Sequence, residues 1–142
     1  QEVFVHMKSR KQGKVINIGS LTTGISLHSV SVYTATKGAV GQLTKAQALE
    51  MGPYNIQSNA ICPGFILTPL TKKLWSDPTL QEWGNRRTPA GRLGVPDDLV
   101  GTAVFLASSA SDFGRPVSCD TIFTARARNL ALVACKATIR PR

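Results

Sequence analysis

Two short aliphatic runs separated by one long amphipathic stretch constrain the fold of this chain more than any other feature. Lys14–Ile18 is short and β-branched and reads as a buried parallel strand. Gly19–Val30 is a loop. A long helix is predicted from about Ser31 to Met51, with an apolar stripe of Val32, Ala35, Ala39, Val40, Leu43, Ala46 and Leu49, and Gly52-Pro53 stops it. Asn55–Ile61 is the next strand, after which Pro63-Gly64 turns the chain out of the sheet. The same alternation continues on both sides. Val3–Lys11 reads as the end of a helix whose basic finish suits its dipole. Pro69–Trp75 and Thr79–Arg86 read as two short helices on a flap. Pro96, followed by Asp97 and Asp98, starts a helix that runs through Ala107. Helices alternating with aliphatic strands imply a doubly wound α/β sheet.

The composition excludes several classes. At 142 residues, 42% hydrophobic and 6% aromatic, the chain can bury one real core and is neither disordered nor fibrous. No apolar run approaches the roughly 18 residues that span a bilayer, and the first residues lack a signal-peptide layout, so a cytoplasmic protein with no membrane partner is expected. Cys62, Cys119 and Cys135 are odd in number and lack metal-type spacing, so neither a disulfide framework nor a metal site is expected; Cys62 reads as a small buried hydrophobe. The net charge of +9 is unevenly placed: through Phe113 there are eleven Lys/Arg and seven Asp/Glu, beyond it six and one. The final basic segment offers no aromatic platform, so a solvated or unstructured tail is expected rather than a nucleic-acid partner.

The chemistry concentrates in three residues. Tyr33 and Lys37 are four apart on the long predicted helix, so they share a face. An ammonium group favours the ionised form of a neighbouring phenol, and such a phenol can give or take a proton at a carbonyl oxygen. Ser20, at a strand-to-loop transition thirteen residues before Tyr33, can hydrogen-bond that same oxygen. The bare spacing also suits an ordinary surface pair. Elsewhere, Pro63, Gly64 and Thr68 read equally as a plain turn with a helix cap. Asn17 and Asn59 suit gap-closing polar roles, His6 and His28 have no ligand-type neighbours, and Trp75 and Trp83 are either packing residues or a substrate lid.

The segments GKVINIGS (Gly13–Ser20), YTATKGA (Tyr33–Ala39) and NAICPGFILTP (Asn59–Pro69), in this order and spacing, resemble the short-chain dehydrogenase/reductase family. The resemblance covers Gln1 to about Phe113. Thr68–Pro78 and Arg87–Phe113 are most similar to the gluconate 5-dehydrogenase kind. It implies a Rossmann-like doubly wound parallel sheet whose N-terminal half is missing here, and a hydride transfer between NAD or NADP and a secondary alcohol or ketone. A sugar acid or polyol would be the substrate. The implied catalytic residues are Ser20, Tyr33 and Lys37. The implied cofactor contacts are Tyr33, Lys37 on the nicotinamide ribose, Pro63, Gly64, Ile66 through its backbone, and Thr68 near the phosphates. Family members pair as dimers and tetramers through the long helix, which implies a homo-oligomer.

The chain departs from the family pattern in two places. It contains no T-G-x-x-x-G-x-G turn, no residue selecting NAD from NADP and no Asn-Asn-Ala-Gly segment, as though it began on the family's fourth helix. After Phe113 the resemblance stops, as a frameshift or aberrant splice junction would cause, so residues 1–113 are expected as the domain's C-terminal half and 114–142 as a divergent basic tail. Only two strands would then remain of the family's sheet, leaving apolar helix faces exposed. Two alternatives stand beside the dehydrogenase reading: an inactive fragment pairing with a full-length relative, and a 3-oxoacyl-thioester reductase.

Overall fold

A computed structural model describes residues 2–112, 121–124 and 132–134. Helix α1 (Glu2–Arg10) carries Glu2 in its first turn and Lys8 and Arg10 in its last, the polarity that its dipole favours. Strand β1 (Gly13–Ile18) follows, then the long helix α2 (Ser31–Met51) and strand β2 (Ile56–Cys62). Asn55, with φ 57°, makes the left-handed turn between α2 and β2, a conformation that asparagine tolerates. Helices α3 (Lys72–Trp75), α4 (Pro78–Arg87) and α5 (Val100–Ala107) come next. Strands β3 (Thr121–Thr124) and β4 (Leu132–Ala134) complete the described sheet, in the order β1-β2-β3-β4.

β1 and β2 are parallel, with Asn17 opposite Ala60, as the intervening helix requires. Side-chain alternation then assigns the two faces. Asn17 donates to Thr44 and Gln47 of α2 at 2.9 and 2.8 Å, and Ser58 donates to the same Gln47 at 3.0 Å, so this face is covered by α2. On the opposite face Ile61 packs with Leu106 of α5 and with Ile16, Leu99 and Ala103. Lys14 reaches Ser111 at 2.8 Å and Asp112 at 2.6 Å there, and also pairs with Gln57. Helices on both faces of a largely parallel sheet are the doubly wound arrangement.

Three expectations need correction. β1 was expected to be buried but is half-buried, because it is paired on one side only among the described strands, whereas β2 is buried along nearly its whole length. The apolar stripe of α2 does not face the sheet: Val32 is 77% exposed, Leu43 52% and Leu49 54%. The side packed inward is Gly41, Thr44 and Ala48, small residues that let helix and sheet approach closely. The final segment was expected to be solvated or unstructured; within it Thr121–Thr124 pairs parallel to β2 and Leu132–Ala134 pairs antiparallel to β3, so these two runs are not unstructured. Both runs are β-branched, aromatic or aliphatic; the edge of β2 offers the first a hydrogen-bond ladder, and the edge of β3 offers one to the second. Phe113, the junction expected to end the resemblance, lies outside the described residues, as do Cys119 and Cys135.

Candidate active site

The residues picked out by sequence gather at the carboxyl ends of β1 and β2, the edge at which open α/β sheets bind ligands. Gly19 leaves β1 with its N–H donated to Ile61 C=O at 2.8 Å, and Leu21 N–H reaches Pro63 C=O at 2.7 Å. These two bonds tie the Ser20 loop to the turn that leaves β2. A side chain at position 19 would put its Cβ 2.6 Å from Cys62 Sγ and 2.8 Å from Thr23 Oγ1, so this close passage requires glycine. Cys62 is fully buried and unpaired.

Ser20 caps the short 3-10 turn Leu21–Thr23: its Oγ accepts from Thr22 N–H at 3.2 Å, while its own N–H donates to Thr23 Oγ1 at 3.1 Å. A hydroxyl has one proton and two acceptor positions, so this use leaves the Ser20 proton available for an oxygen outside the loop. Ser20 is buried, and Tyr33 is 47% exposed.

Tyr33 and Lys37 lie in the first two turns of α2, on the same side. Lys37 Nζ is 5.8 Å from the Tyr33 ring centroid and donates to Ile18 C=O at 3.0 Å. The lysine thus holds the end of β1 and keeps its charge beside the phenol. An ammonium group has three donors, and two of those on Lys37 have no partner among the described residues. Thr23 Oγ1 donates to Lys37 C=O at 2.9 Å, joining the serine loop to the helix turn between Tyr33 and Gly41. Sequence reasoning missed Thr23. A threonine three residues after Ser20, with glycines at 19 and 41 to make room for it, is the signal that was there.

Beyond β2, Pro63 and Gly64 begin a loop that Gly94 braces. Gly94 N–H donates to Phe65 C=O at 2.9 Å and Leu67 N–H to Gly94 C=O at 2.8 Å. The Gly94 segment is held in turn by Asp98, which accepts from Arg92 at 2.7 and 2.8 Å and from Val95 N–H at 2.8 Å. The hydrogen bond from Arg92, then that from Val95 N–H, holds the Asp98 carboxyl far below the usual carboxylate range. Ile66 C=O accepts from Thr71 Oγ1 at 2.7 Å and from the Trp75 indole at 3.3 Å. The Thr68 hydroxyl lies 3.1 Å from Thr71 Oγ1 and accepts from Thr71 N–H at 3.2 Å, a turn-closing arrangement. Trp75 is buried, and Phe65 packs between it and Trp83 at ring distances of 5.5 and 5.2 Å. No group of His, Cys, Asp or Glu suited to a metal ion occurs among the described residues. No described helix is long and apolar enough to cross a membrane.

The residues present fit the nicotinamide end of a dinucleotide. Lys37 has unused donors, a Cβ at Gly64 would meet no atom within 4 Å, and Ile66 N–H has no hydrogen bond among the described residues. Lys37 thus offers donors beside the Tyr33 ring, and the loop after Pro63 offers an open backbone group.

The chain matches known proteins in sequence and in fold. The sequence family described as enoyl-(acyl carrier protein) reductase matches residues 1–116. The 5-keto-D-gluconate 5-reductase of Escherichia coli (strain K12) is 47% identical over 113 residues, covering 80% of this chain and 44% of that protein. Gluconate 5-dehydrogenase of Gluconobacter oxydans (strain 621H) is 44% identical over the same length, with 80% and 44% covered. The crystal structure of a gluconate 5-dehydrogenase from Burkholderia cenocepacia J2315, in complex with NADP and tartrate, superimposes with a TM-score of 0.74 at 45% identity, covering 77% of this chain and 43% of that one. This chain therefore spans less than half the length of the relatives it matches. With a family match over most of its residues and a fold that superimposes on a solved relative, the chain belongs to the short-chain dehydrogenase/reductase family.

Proposed function

We propose that the chain carries the proton-transfer half of a nicotinamide-dependent oxidoreductase acting on a sugar acid, with Ser20, Tyr33 and Lys37 as its catalytic residues. The single observation that carries this reading is the Lys37 ammonium beside the Tyr33 ring, on a helix turn whose Lys37 C=O is tied through Thr23 to the Ser20 loop. A bound NAD or NADP would supply or accept the hydride at the substrate carbon. In the reducing direction Tyr33 gives its phenolic proton to the carbonyl oxygen, so that the ketone becomes a secondary alcohol. Ser20 donates a hydrogen bond to that oxygen and keeps it in line with the phenol. Lys37 keeps a positive charge beside the phenol and offers its remaining donors to ribose hydroxyls. Pro63, Gly64, Ile66 and Thr68 would hold the nicotinamide end of the cofactor, Ile66 through its backbone N–H, which has no hydrogen bond among the described residues. In the oxidising direction Tyr33 would take the proton back from the alcohol oxygen.

The sugar-acid assignment is supported by the relatives named 5-keto-D-gluconate 5-reductase and gluconate 5-dehydrogenase, and NADP by the relative solved with it. The test is titration of the purified chain with NADPH followed by nicotinamide fluorescence. Saturable binding that 5-ketogluconate perturbs is expected; a flat titration would refute catalysis by this chain.

A second reading is favoured by the exposed Val32, Leu43 and Leu49 on α2. In it the chain pairs through this face with another copy or with a full-length relative, whether or not it turns over substrate. Co-purification with a longer dehydrogenase, lost when Leu43 is made charged, would support it.

A further inference from the structure

We propose that Thr23 is a positioning residue of this site, a single hydroxyl that fixes the Ser20 loop against the turn bearing Tyr33 and Lys37; the inference rests on the catalytic reading of those three residues. Ser20 stands on a loop and the other two on a helix, so their alignment depends on non-covalent links across the gap. Thr23 supplies one in each direction. Its Oγ1 accepts from Ser20 N–H at 3.1 Å and donates to Lys37 C=O at 2.9 Å. Lys37 Nζ in turn donates to Ile18 C=O at 3.0 Å, two residues before Ser20. The bonds form a closed circuit: loop to threonine, threonine to helix, helix to strand end.

Two glycines make room for this clasp. A Cβ at Gly19 would lie 2.8 Å from Thr23 Oγ1, and one at Gly41 would lie 2.5 Å from Thr23 Cγ2. The chemistry also separates Thr23 from a substrate ligand. Its only proton is committed to Lys37 C=O, so it has none to donate to a substrate oxygen, whereas that of Ser20 has no acceptor among the described residues. Thr23 therefore acts through Ser20 and Lys37.

The test compares Thr23→Val, which keeps the shape and removes the hydroxyl, with Thr23→Ser, which keeps the hydroxyl and removes the methyl. Turnover of 5-ketogluconate with NADPH and amide hydrogen exchange of Ser20 are both measured. A misplacement of the serine by a fraction of an ångström to an ångström lowers kcat by about tenfold to a hundredfold in Thr23→Val, with KM within about twofold. Exchange of the Ser20 amide accelerates in the same variant, and Thr23→Ser restores most of both. Unchanged kcat in Thr23→Val, or an equal loss in Thr23→Ser, overturns the positioning role. A drop in kcat with unchanged Ser20 exchange also overturns the clasp, yet leaves the catalytic reading standing. If Tyr33→Phe turns over like the wild type, the catalytic reading fails instead, and the positioning role fails with it.

Discussion

Gly38 and Gly41 lie one turn apart in the interior of α2, and the same substitution should have opposite effects at the two positions. Glycine in a helix interior costs about 1 kcal/mol relative to alanine. A Cβ at Gly38 meets no atom within 4 Å, so Gly38→Ala should realise that gain in full. A Cβ at Gly41 would lie 2.5 Å from Thr23 Cγ2, which no pair of carbons tolerates. Thr23 cannot swing away freely, because its hydroxyl is bonded on both sides at 3.1 and 2.9 Å. Overpacking costs about 1–3 kcal/mol, and each hydrogen bond given up adds about 1 kcal/mol. Against the propensity gain, Gly41→Ala should be net destabilising by about 1–3 kcal/mol. In a domain of this size that lowers Tm by several degrees, on the order of 3–4 °C per kcal/mol. Thermal unfolding followed by circular dichroism reads both variants. The double variant Gly41→Ala/Thr23→Ser sharpens the test, since it removes the clashing methyl and keeps the hydroxyl; most of the loss should be recovered. Equal Tm values for Gly38→Ala and Gly41→Ala would refute the close packing of Thr23 on α2.

Three further outcomes are expected. Leu106→Ala removes the α5 side chain that packs on Ile61 and should cost about 2–5 kcal/mol in chemical denaturation, whereas Val104→Ala, at an exposed position on the same helix, should cost far less. Asp98 is held with a depressed pKa by Arg92 and Val95 N–H, so its contribution is complete above the unfolded carboxylate range and is lost as pH falls below about 4. Asp98→Asn should therefore lower stability at neutral pH and flatten the acid limb of the stability profile, and an unchanged acid limb would contradict the brace at Gly94. Leu43→Lys, on the exposed face of α2, should shift the chain toward smaller species in sedimentation velocity with little change in far-ultraviolet dichroism.

The sequence specified some elements of this structure more sharply than others, for physical reasons. The C-terminal end of α2 was legible because Gly52-Pro53 stops a helix through backbone chemistry that tertiary context rarely overrides. The orientation of α2 was not. A reading weighted by hydrophobicity places Val32, Leu43 and Leu49 inward, yet close approach to the sheet selects Gly41, Thr44 and Ala48 for the buried side. Thr121–Thr124 was hidden by the basic residues around it, although its own β-branched and aromatic character is strand-like. At the site, Tyr33 and Lys37 were legible because a four-residue helical spacing is a geometric statement in itself. Thr23 was not, since one hydroxyl in a loop has no periodic signature and its partners, Ser20 and Lys37, meet it only in three dimensions.

The central claim is that the Tyr33 phenol delivers a proton to a carbonyl oxygen as a hydride reaches its carbon. Incubation of the chain with 5-ketogluconate and NADPH deuterated at the transferable position, followed by mass spectrometry of the sugar acid, tests it most directly. The wild type should form gluconate or its epimer carrying one deuterium, and Tyr33→Phe should form about a hundredfold less or lower still, with unchanged Tm. Unlabelled product alone, or equal deuterium incorporation in the two proteins, would contradict it.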